Sequence, residues 1–215
     1  AVQWAPHQPI DFDQLPIDLL SLTAHKLGGP RGIGALLLRP ELCARLQPQF
    51  SGGLQEGGLR AGTEPVVLAA GFAAALAERS SKIDPDGRQG VEAQRDRLLS
   101  ALLTLPGFSL SGPDPSGQQR LPHHISLIAQ TRNGDPVSGR RLVHELWRQG
   151  VAASSGSACS TARSGTGASP VLLAMGYPPP LAAAGLRLSL GPWCQEQQLQ
   201  LVPQALERAL QACAG

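Results

Sequence analysis

The sequence predicts an α/β fold, in which helices pack on a sheet, and three observations point to it. Two apolar runs, Ile17–Leu22 and Ile33–Leu38, have the length of strands and are joined by a turn rich in glycine. Residues 89–105 and 196–212 instead repeat their apolar residues at helical spacing. Aromatic residues make up only 4% of the 215 residues. Alanine, leucine, glycine and proline are abundant, which favours helices packed closely on a sheet.

The charge balance and the cysteines limit the class of protein. The net charge is +2 and 16% of the residues are charged, so the chain lacks the basic character of nucleic-acid-binding proteins. No apolar run reaches the length that spans a membrane. The four cysteines are scattered, without the spacing of a disulfide framework or a metal site. We therefore expect no metal and a reducing, cytoplasmic setting.

The first predicted strand ends in three polar residues, Thr23, His25 and Lys26. Strand ends are where open sheets bind their ligands. An isolated lysine in a hairpin is usually solvated. A lysine with a histidine and a hydroxyl beside it, however, suits Schiff-base chemistry on a phosphorylated aldehyde cofactor.

A helix is predicted from Glu64 to about Ser80. Thr63 is a favourable N-cap residue, and Pro65 suits a first helical turn. Because the helix is apolar nearly all round, we expect it to be buried on most sides, in a core or at a subunit interface. Thr63 has two compatible roles, which are to cap the amides of the helix and to bind a phosphate at its positive end.

Residues 83–87 interrupt these patterns with the sequence Ile-Asp-Pro-Asp-Gly and predict a domain boundary. Residues 1–82 then form one domain and residues 83–215 another. The apolar spacing in the second domain predicts helices at 89–105, with Leu103 facing inward, and at 138–149, 170–175 and 196–212. It predicts strands at 123–129, 151–153 and 185–190.

Cys159 lies in a loop of small and polar residues, Ser154–Ser169. A free cysteine is usually buried like a small hydrophobic residue. This loop offers no large apolar residue to bury Cys159, so we expect an accessible thiol that acts as a nucleophile. The other three, Cys43, Cys194 and Cys213, lie on helices or helix starts and are expected to be buried.

The strand at 185–190 alternates, so Leu186 and Leu188 share one face and Arg187 lies on the other. An arginine on a half-exposed strand is usually solvated. Its guanidinium group can instead bind a carboxylate through two parallel hydrogen bonds. Arg187 alone does not decide between these roles, and Gln3 is equally undecided.

Three motifs combine along the chain. The first is Ser-Leu-Thr-Ala-His-Lys at 21–26, followed by Gly-Pro-Arg-Gly-Ile-Gly-Ala at 29–35. The second is Gly-Gly-Leu-Gln-Glu-Gly-Gly-Leu-Arg-Ala-Gly-Thr-Glu at 52–64. The third is Ser-Gly-Ser-Ala-Cys at 155–159, followed by Leu-Arg-Leu-Ser-Leu-Gly at 186–191. Together they resemble the cysteine desulfurases, pyridoxal 5'-phosphate (PLP) enzymes of fold type I in the class V aminotransferase group, and in particular the subgroup with a long, mobile cysteine loop.

The resemblance implies PLP as the cofactor and a role for five candidate residues. Lys26 would bind PLP covalently, and Thr23 and His25 would hold its phosphate. Gln3 would hydrogen-bond its phenolic oxygen. Thr63 would reach the phosphate of the partner subunit in a homodimer.

The resemblance also implies the substrate, L-cysteine, and the reaction. Arg187 would bind its carboxylate, and Cys159 would take its sulfur as a persulfide and leave L-alanine. The loop would then carry the sulfur to an acceptor or scaffold protein for iron–sulfur cluster or thio-cofactor assembly. Two alternatives stay open. One is another class V enzyme, a selenocysteine or cystine lyase. The other is a non-catalytic remnant that serves as a sulfur-acceptor or dimerisation module.

The family's motif places an aspartate, which pairs with the pyridine nitrogen, just before the Ala-Val-Gln run at which this chain starts. The chain therefore resembles the C-terminal half of such an enzyme. Residues 1–82 would be the end of the large PLP domain and residues 83–215 the small domain with the cysteine loop. We expect a fragment, or one half of a split enzyme whose N-terminal half is a separate chain.

Overall fold

The computed structural model describes residues 1–7, 9–82, 90–116, 119–156, 167–191 and 193–214. The chain divides into two compact units, Ala1–Gly87 and Arg88–Gly215, called unit 1 and unit 2 below. The predicted boundary at residues 83–87 lies outside the described residues. The assignment of residues 1–82 and 83–215 to a large-domain part and a small domain stays a prediction.

Unit 1 contains an antiparallel hairpin of β1 (Leu19–Thr23) and β2 (Gly34–Leu38). The two predicted strands are thus confirmed, each beginning slightly later than expected. A 3₁₀ turn, Ala24–Lys26, follows β1 directly. Two further 3₁₀ turns, Pro40–Arg45 and Gln55–Gly58, follow the hairpin.

The long helix of unit 1, α1, spans Val66–Lys82 and is far more exposed in this structure than its composition predicts. Val66 and Val67 are 71% and 84% exposed. The helix is anchored by Phe72, which packs in a small cluster with Ala24 and Leu27. The core of unit 1 therefore does not bury α1 on most sides, because few apolar side chains of unit 1 cover it. Burial of α1 at a subunit interface stays a prediction.

The predicted N-cap of α1 is also wrong. The amide of Ala69 donates to the carbonyl of Pro65 at 2.9 Å, so the helical hydrogen bonds begin at Pro65. Thr63 lies two residues earlier, in an exposed segment. Its hydroxyl is therefore placed ahead of the helix rather than in the N-cap position.

Unit 2 is built on an antiparallel sheet of β3 (Phe108–Leu110), β4 (His124–Ala129) and β5 (Gly185–Ser189), in that order. Its described helices are α2 (Val91–Leu103), α3 (Gly139–Arg148), α4 (Pro170–Ala174), α5 (Pro179–Ala183), α6 (Glu196–Leu199) and α7 (Val202–Ala214).

The two faces of this sheet differ, as the alternation of β5 predicts. Ile125, Leu127 and Leu186 are almost completely buried and point to one face. They form the main core with leucines of α2, α3 and α7: Leu98, Leu99, Leu102, Leu142, Leu146 and Leu206. The other face carries the polar side chains of β4 and β5, with Ile128 packed against α4 and α5 at one end. Burial of the apolar face fixes the register of the strands and so the direction of every polar side chain.

Two predicted elements of unit 2 differ from the structure. Residues 196–212 form two helices, α6 and α7, because Pro203 has no N–H to donate to Leu199 and the helical ladder breaks there. Residues 151–153 form no strand. Instead Ser154 makes an isolated bridge to Arg187 of β5.

Leu102 and Leu103 of α2 provide a matched test of this packing. Leu102 is completely buried, whereas Leu103, which was expected to face inward, is 40% exposed. We expect Leu102→Ala to lower the free energy of unfolding by about 2–5 kcal/mol, since it leaves a cavity in the core. Leu103→Ala should cost less than about 1 kcal/mol. Urea unfolding of both variants measures the difference, and equal losses would contradict this placement of α2.

Candidate active site

In unit 1 the turn after β1 brings three predicted site residues together. Thr23 Oγ1 and His25 Nδ1 are 2.9 Å apart, within hydrogen-bond distance. His25 and Lys26 are exposed, while Ala24 between them and Thr23 is fully buried. The turn thus presents a hydroxyl, an imidazole and an amine at the end of a strand, on a backbone anchored by Ala24.

Close packing against α1 holds this turn in place. The amides of Leu27 and Gly29 both donate to the carbonyl of Ala24, each at 2.9 Å. A Cβ atom at Gly29 would lie only 3.1 Å from that carbonyl and 3.1 Å from the Cβ of Ala75 in α1. Glycine is therefore favoured at position 29, because a side chain there would push against both the turn and the helix. Part of the glycine-rich motif thus serves to fix the backbone next to Lys26.

The other two cofactor candidates of unit 1 lie at the surface. Gln3 is exposed in a turn at the start of the chain. Two residues further on, Ala5 packs in the same apolar cluster as Ala24 and Leu27, so the Gln3 turn is anchored to the same part of unit 1 as the Thr23–Lys26 turn. Thr63 lies in the exposed segment ahead of α1. The roles of both residues stay predictions.

Unit 2 contains a cavity of about 360 Å³ at the polar face of its sheet. Among the described residues, no aspartate or glutamate lines it. Its polar lining residues are Ser111, Gln119, Arg120, His124, Ser126, Ser155, Ser169 and Arg187. A partly enclosed space with two arginines and no carboxylate favours an anionic ligand.

Arg187 is half-buried in this cavity and lies directly opposite Ser126 in the β4–β5 pairing. Its backbone is held by two hydrogen bonds with Ser154, at 2.6 and 3.0 Å. Its Nε is buried and makes no hydrogen bond with any residue that the structure describes. A guanidinium donor that is shielded from water and unpaired gains free energy when a carboxylate binds it.

Arg120 and His124 are cavity residues that sequence reasoning missed. Arg120 donates to the carbonyl of Ser111 at 2.7 Å and to that of Pro113 at 2.7 and 3.0 Å, and its Nη1 lies 3.3 Å from His124 Nδ1. Burial, followed by the charges of Arg120, Arg187 and Arg95, lowers the pKa of His124 to about 4. Strand alternation contained the signal for His124, since it falls on the face opposite Ile125.

Cys159 lies outside the described residues. The described start of its loop does line the cavity, through Ser155 and Gly156, and Ser169 lines it at the end of the loop. Both flanks of the cysteine segment therefore border the cavity that contains Arg187.

The expectation for the other cysteines is only partly correct. Cys213 is buried, and burial raises the pKa of its thiol. Cys194 is half-buried. Cys43 is exposed, because the 3₁₀ turn Pro40–Arg45 has no buried residue. Rapid alkylation would therefore not by itself distinguish Cys159 from Cys43.

Comparison with known families identifies the class. A profile of the family described as Aminotransferase class-V matches residues 1–202. The chain belongs to the class V aminotransferase family. This family is PLP-dependent, and the predicted α/β fold of type I is confirmed.

Individual relatives are cysteine desulfurases. The chain is 36% identical over 212 residues to cysteine desulfurase IscS of Methanosarcina thermophila, and covers 49% of it with 97% of its own length. It is 35% identical over 197 residues to the mitochondrial cysteine desulfurase of Saccharomyces cerevisiae, covering 37% of that protein with 92% of itself. The chain thus spans about half the length, or less, of these curated relatives.

Solved structures of similar proteins have the same fold as this chain. A NifS-like protein superposes with a TM-score of 0.79 at 26% identity, over all of this chain and 51% of that one. The cysteine desulfurase CsdA of Escherichia coli superposes with a TM-score of 0.72 at 26% identity, over 99% of this chain and 51% of that one.

The residues of the Thr23–Lys26 turn fit the cofactor of this family. An exposed lysine can bind an aldehyde covalently, and a neighbouring hydroxyl and imidazole can donate to a phosphate.

Within the described ranges there is no cluster of histidine, cysteine and carboxylate side chains that could hold a metal ion. Nor does any helix in those ranges have the length and apolar character needed to cross a membrane.

Proposed function

We propose that this chain serves as a PLP-dependent cysteine desulfurase, which takes sulfur from L-cysteine and leaves L-alanine. The observation that carries this proposal is the cavity of unit 2, where the unpaired donor of Arg187 and the start of the Cys159 loop line one space. A site for an amino-acid carboxylate therefore lies beside the segment that bears the nucleophile. The names of the relatives support the same reaction.

The cofactor residues of the proposal are those of unit 1. Lys26 binds PLP covalently through its amine, and the Thr23–His25 pair donates to the phosphate. Gln3 hydrogen-bonds the phenolic oxygen, and Thr63 reaches the phosphate held by the partner subunit. When bound, PLP supplies an electron sink for the carbon skeleton of the amino acid.

The substrate residues of the proposal are those of unit 2. Arg187 binds the carboxylate of L-cysteine through two parallel hydrogen bonds. The Cys159 thiolate attacks the sulfur of the substrate, so that an S–S bond forms as the substrate's C–S bond breaks. The electron pair of the broken bond stays with the carbon, which gains a proton and becomes L-alanine. Cys159 is left as a persulfide.

The proposal includes a sulfur-acceptor or scaffold protein, which receives the persulfide sulfur, and a homodimer. The pathway would be iron–sulfur cluster or thio-cofactor assembly. A cytoplasmic location stays a prediction, since relatives of this chain include mitochondrial proteins.

Arg187→Lys tests the proposal. An ammonium group cannot reproduce the bidentate contact. We therefore expect the KM for L-cysteine to rise roughly 5- to 150-fold, which corresponds to about 1–3 kcal/mol. Alanine formation in the presence of PLP measures it, with persulfide on the chain followed by mass spectrometry. Arg148→Lys, at an exposed position of α3, is the matched control. An unchanged KM for Arg187→Lys, or sulfide released without enzyme-bound sulfur, would contradict the proposal.

A further inference from the structure

The polar face of the unit 2 sheet carries a second side chain that can bind a ligand in the Arg187 cavity, that of His124. In the β4–β5 register His124 lies opposite Ser189, and Ser126 lies opposite Arg187. His124 and Arg187 are therefore diagonal neighbours on one face, roughly 7–8 Å apart at their backbones, which is within reach of long side chains. Both line the same cavity.

Arg120 fixes the protonation of His124. A guanidinium nitrogen has no acceptor capacity, so in the 3.3 Å contact Nη1 of Arg120 donates and Nδ1 of His124 accepts. Three of the remaining contacts of Arg120 are also hydrogen bonds, to the carbonyls of Ser111 and Pro113. These bonds hold the guanidinium against the histidine. With Nδ1 accepting, the imidazole is neutral and carries its proton on Nε2.

The charges that act on His124 are those of arginines, and Asp114 acts in turn on Arg120. Arg120, Arg187 and Arg95 all act on its ring. Arg95 is completely buried but is paired with Glu92 and Asp96, so its charge is largely offset. Among the described residues, Arg187 has no such partner and no carboxylate lines the cavity. An anion that enters is therefore attracted by the arginines and meets a neutral N–H donor beside Arg187.

We propose that His124 is a further substrate-binding residue, whose Nε2–H donates to the carboxylate held by Arg187. Arg120 is its positioning residue, because the contact to Nδ1 keeps the proton on Nε2. The identity of the carboxylate, that of an α-amino acid, rests on the proposed function. A neutral donor suits this place, since a third cation beside Arg120 and Arg187 would be repelled. Two donors of different geometry also discriminate a carboxylate from an amide or ester.

Binding of L-alanine, the proposed product, tests this without cofactor or turnover. Histidine side-chain NMR of the full 215-residue chain gives both the tautomer and the titration of His124. We expect Nε2 to carry the proton in the free chain. Saturation with L-alanine should shift the His124 resonance and raise the pKa of His124, because the carboxylate offsets the nearby arginines. L-alaninamide, which has no carboxylate, should do neither.

Substitutions of His124 test whether the residue contributes to the binding of L-alanine or only to the structure of the cavity. His124→Leu should raise the Kd for L-alanine roughly 10-fold or more, as expected for a lost hydrogen bond to a charged group. His124→Gln restores an N–H donor and an acceptor for Arg120, so it should recover most of the affinity. His144→Leu, at an exposed position of α3, is the matched control and should keep the wild-type Kd.

Other results would contradict the role of His124, the carboxylate site, or both. A proton on Nδ1, equal responses to L-alanine and L-alaninamide, or a wild-type Kd for His124→Leu would overturn it. If His124→Leu keeps its affinity while Arg187→Gln loses it, only the role of His124 is wrong. If Arg187→Gln also binds L-alanine normally, the carboxylate site of the proposed function fails as well. Should His124→Leu not fold, the wild-type tautomer and titration still decide.

Discussion

Replacing Lys26 with alanine is expected to abolish the covalent attachment of PLP to this chain. The amine of Lys26 is exposed at the end of β1, and the turn that bears it is fixed by the Ala24 hydrogen bonds and by the packing of Gly29 on α1. An amine on the same turn as the Thr23–His25 pair lets one PLP molecule bind through its aldehyde and its phosphate together, which favours this amine over others.

The chain has only two lysines, Lys26 and Lys82, so the test has a built-in control. Borohydride reduction after incubation with PLP makes the attachment permanent, and peptide mapping then locates it. We expect one PLP per chain on Lys26, none above background in Lys26→Ala, and an unchanged yield in Lys82→Ala. Equal modification of Lys26 and Lys82 would show that PLP reacts with any available amine and would contradict the proposed cofactor site.

Local patterns predicted those parts of the fold in which neighbouring residues decide the structure. Alternation in β5 placed Leu186 in the core and Arg187 on the opposite face, and the structure confirms both. The hairpin followed from two apolar runs and a glycine-rich turn. In each case the residues that form the sequence pattern are within a few positions of the residues whose structure the pattern predicts.

The remaining features depend on contacts that no local pattern contains. Composition predicted that α1 is buried, but burial requires a covering surface, and unit 1 supplies little beyond the cluster around Phe72. Cys43 looked like a buried cysteine on a helix, but its turn packs on no core.

For the candidate site, the first motif placed Thr23, His25 and Lys26 side by side, and the structure shows them at the turn that follows β1. They did not reveal His124, whose chemistry depends on an arginine four residues earlier that is itself held by carbonyls near β3. Arg120 precedes β4 in a loop and shares no helix or strand with His124, so the periodicity of neither element predicts this contact. It therefore becomes visible only in three dimensions.

Replacing Cys159 with serine is expected to abolish persulfide formation while leaving the carboxylate site intact. A hydroxyl is far less nucleophilic towards sulfur than a thiolate, so the variant cannot form the S–S bond. The cavity itself should be preserved, because its described walls, including Arg187, Ser155 and Ser169, do not contain the exchanged side chain. L-alanine should therefore bind with a Kd within about twofold of wild type, since no binding contact is lost.

Cys43→Ser is the matched control, because Cys43 is the exposed cysteine of the described residues. After incubation with PLP and L-cysteine, intact-mass and peptide analysis should find the added sulfur on Cys159 in wild type and in Cys43→Ser, but on no cysteine in Cys159→Ser. Sulfur on Cys43 would reassign the acceptor to unit 1. Sustained release of pyruvate, ammonia and sulfide by Cys159→Ser would instead indicate a lyase, in which the C–S bond breaks with its electron pair leaving on sulfur and no enzyme thiolate takes part. Because substrate binding through Arg187 is the same in both mechanisms, the fate of the sulfur atom is what separates a desulfurase from a lyase.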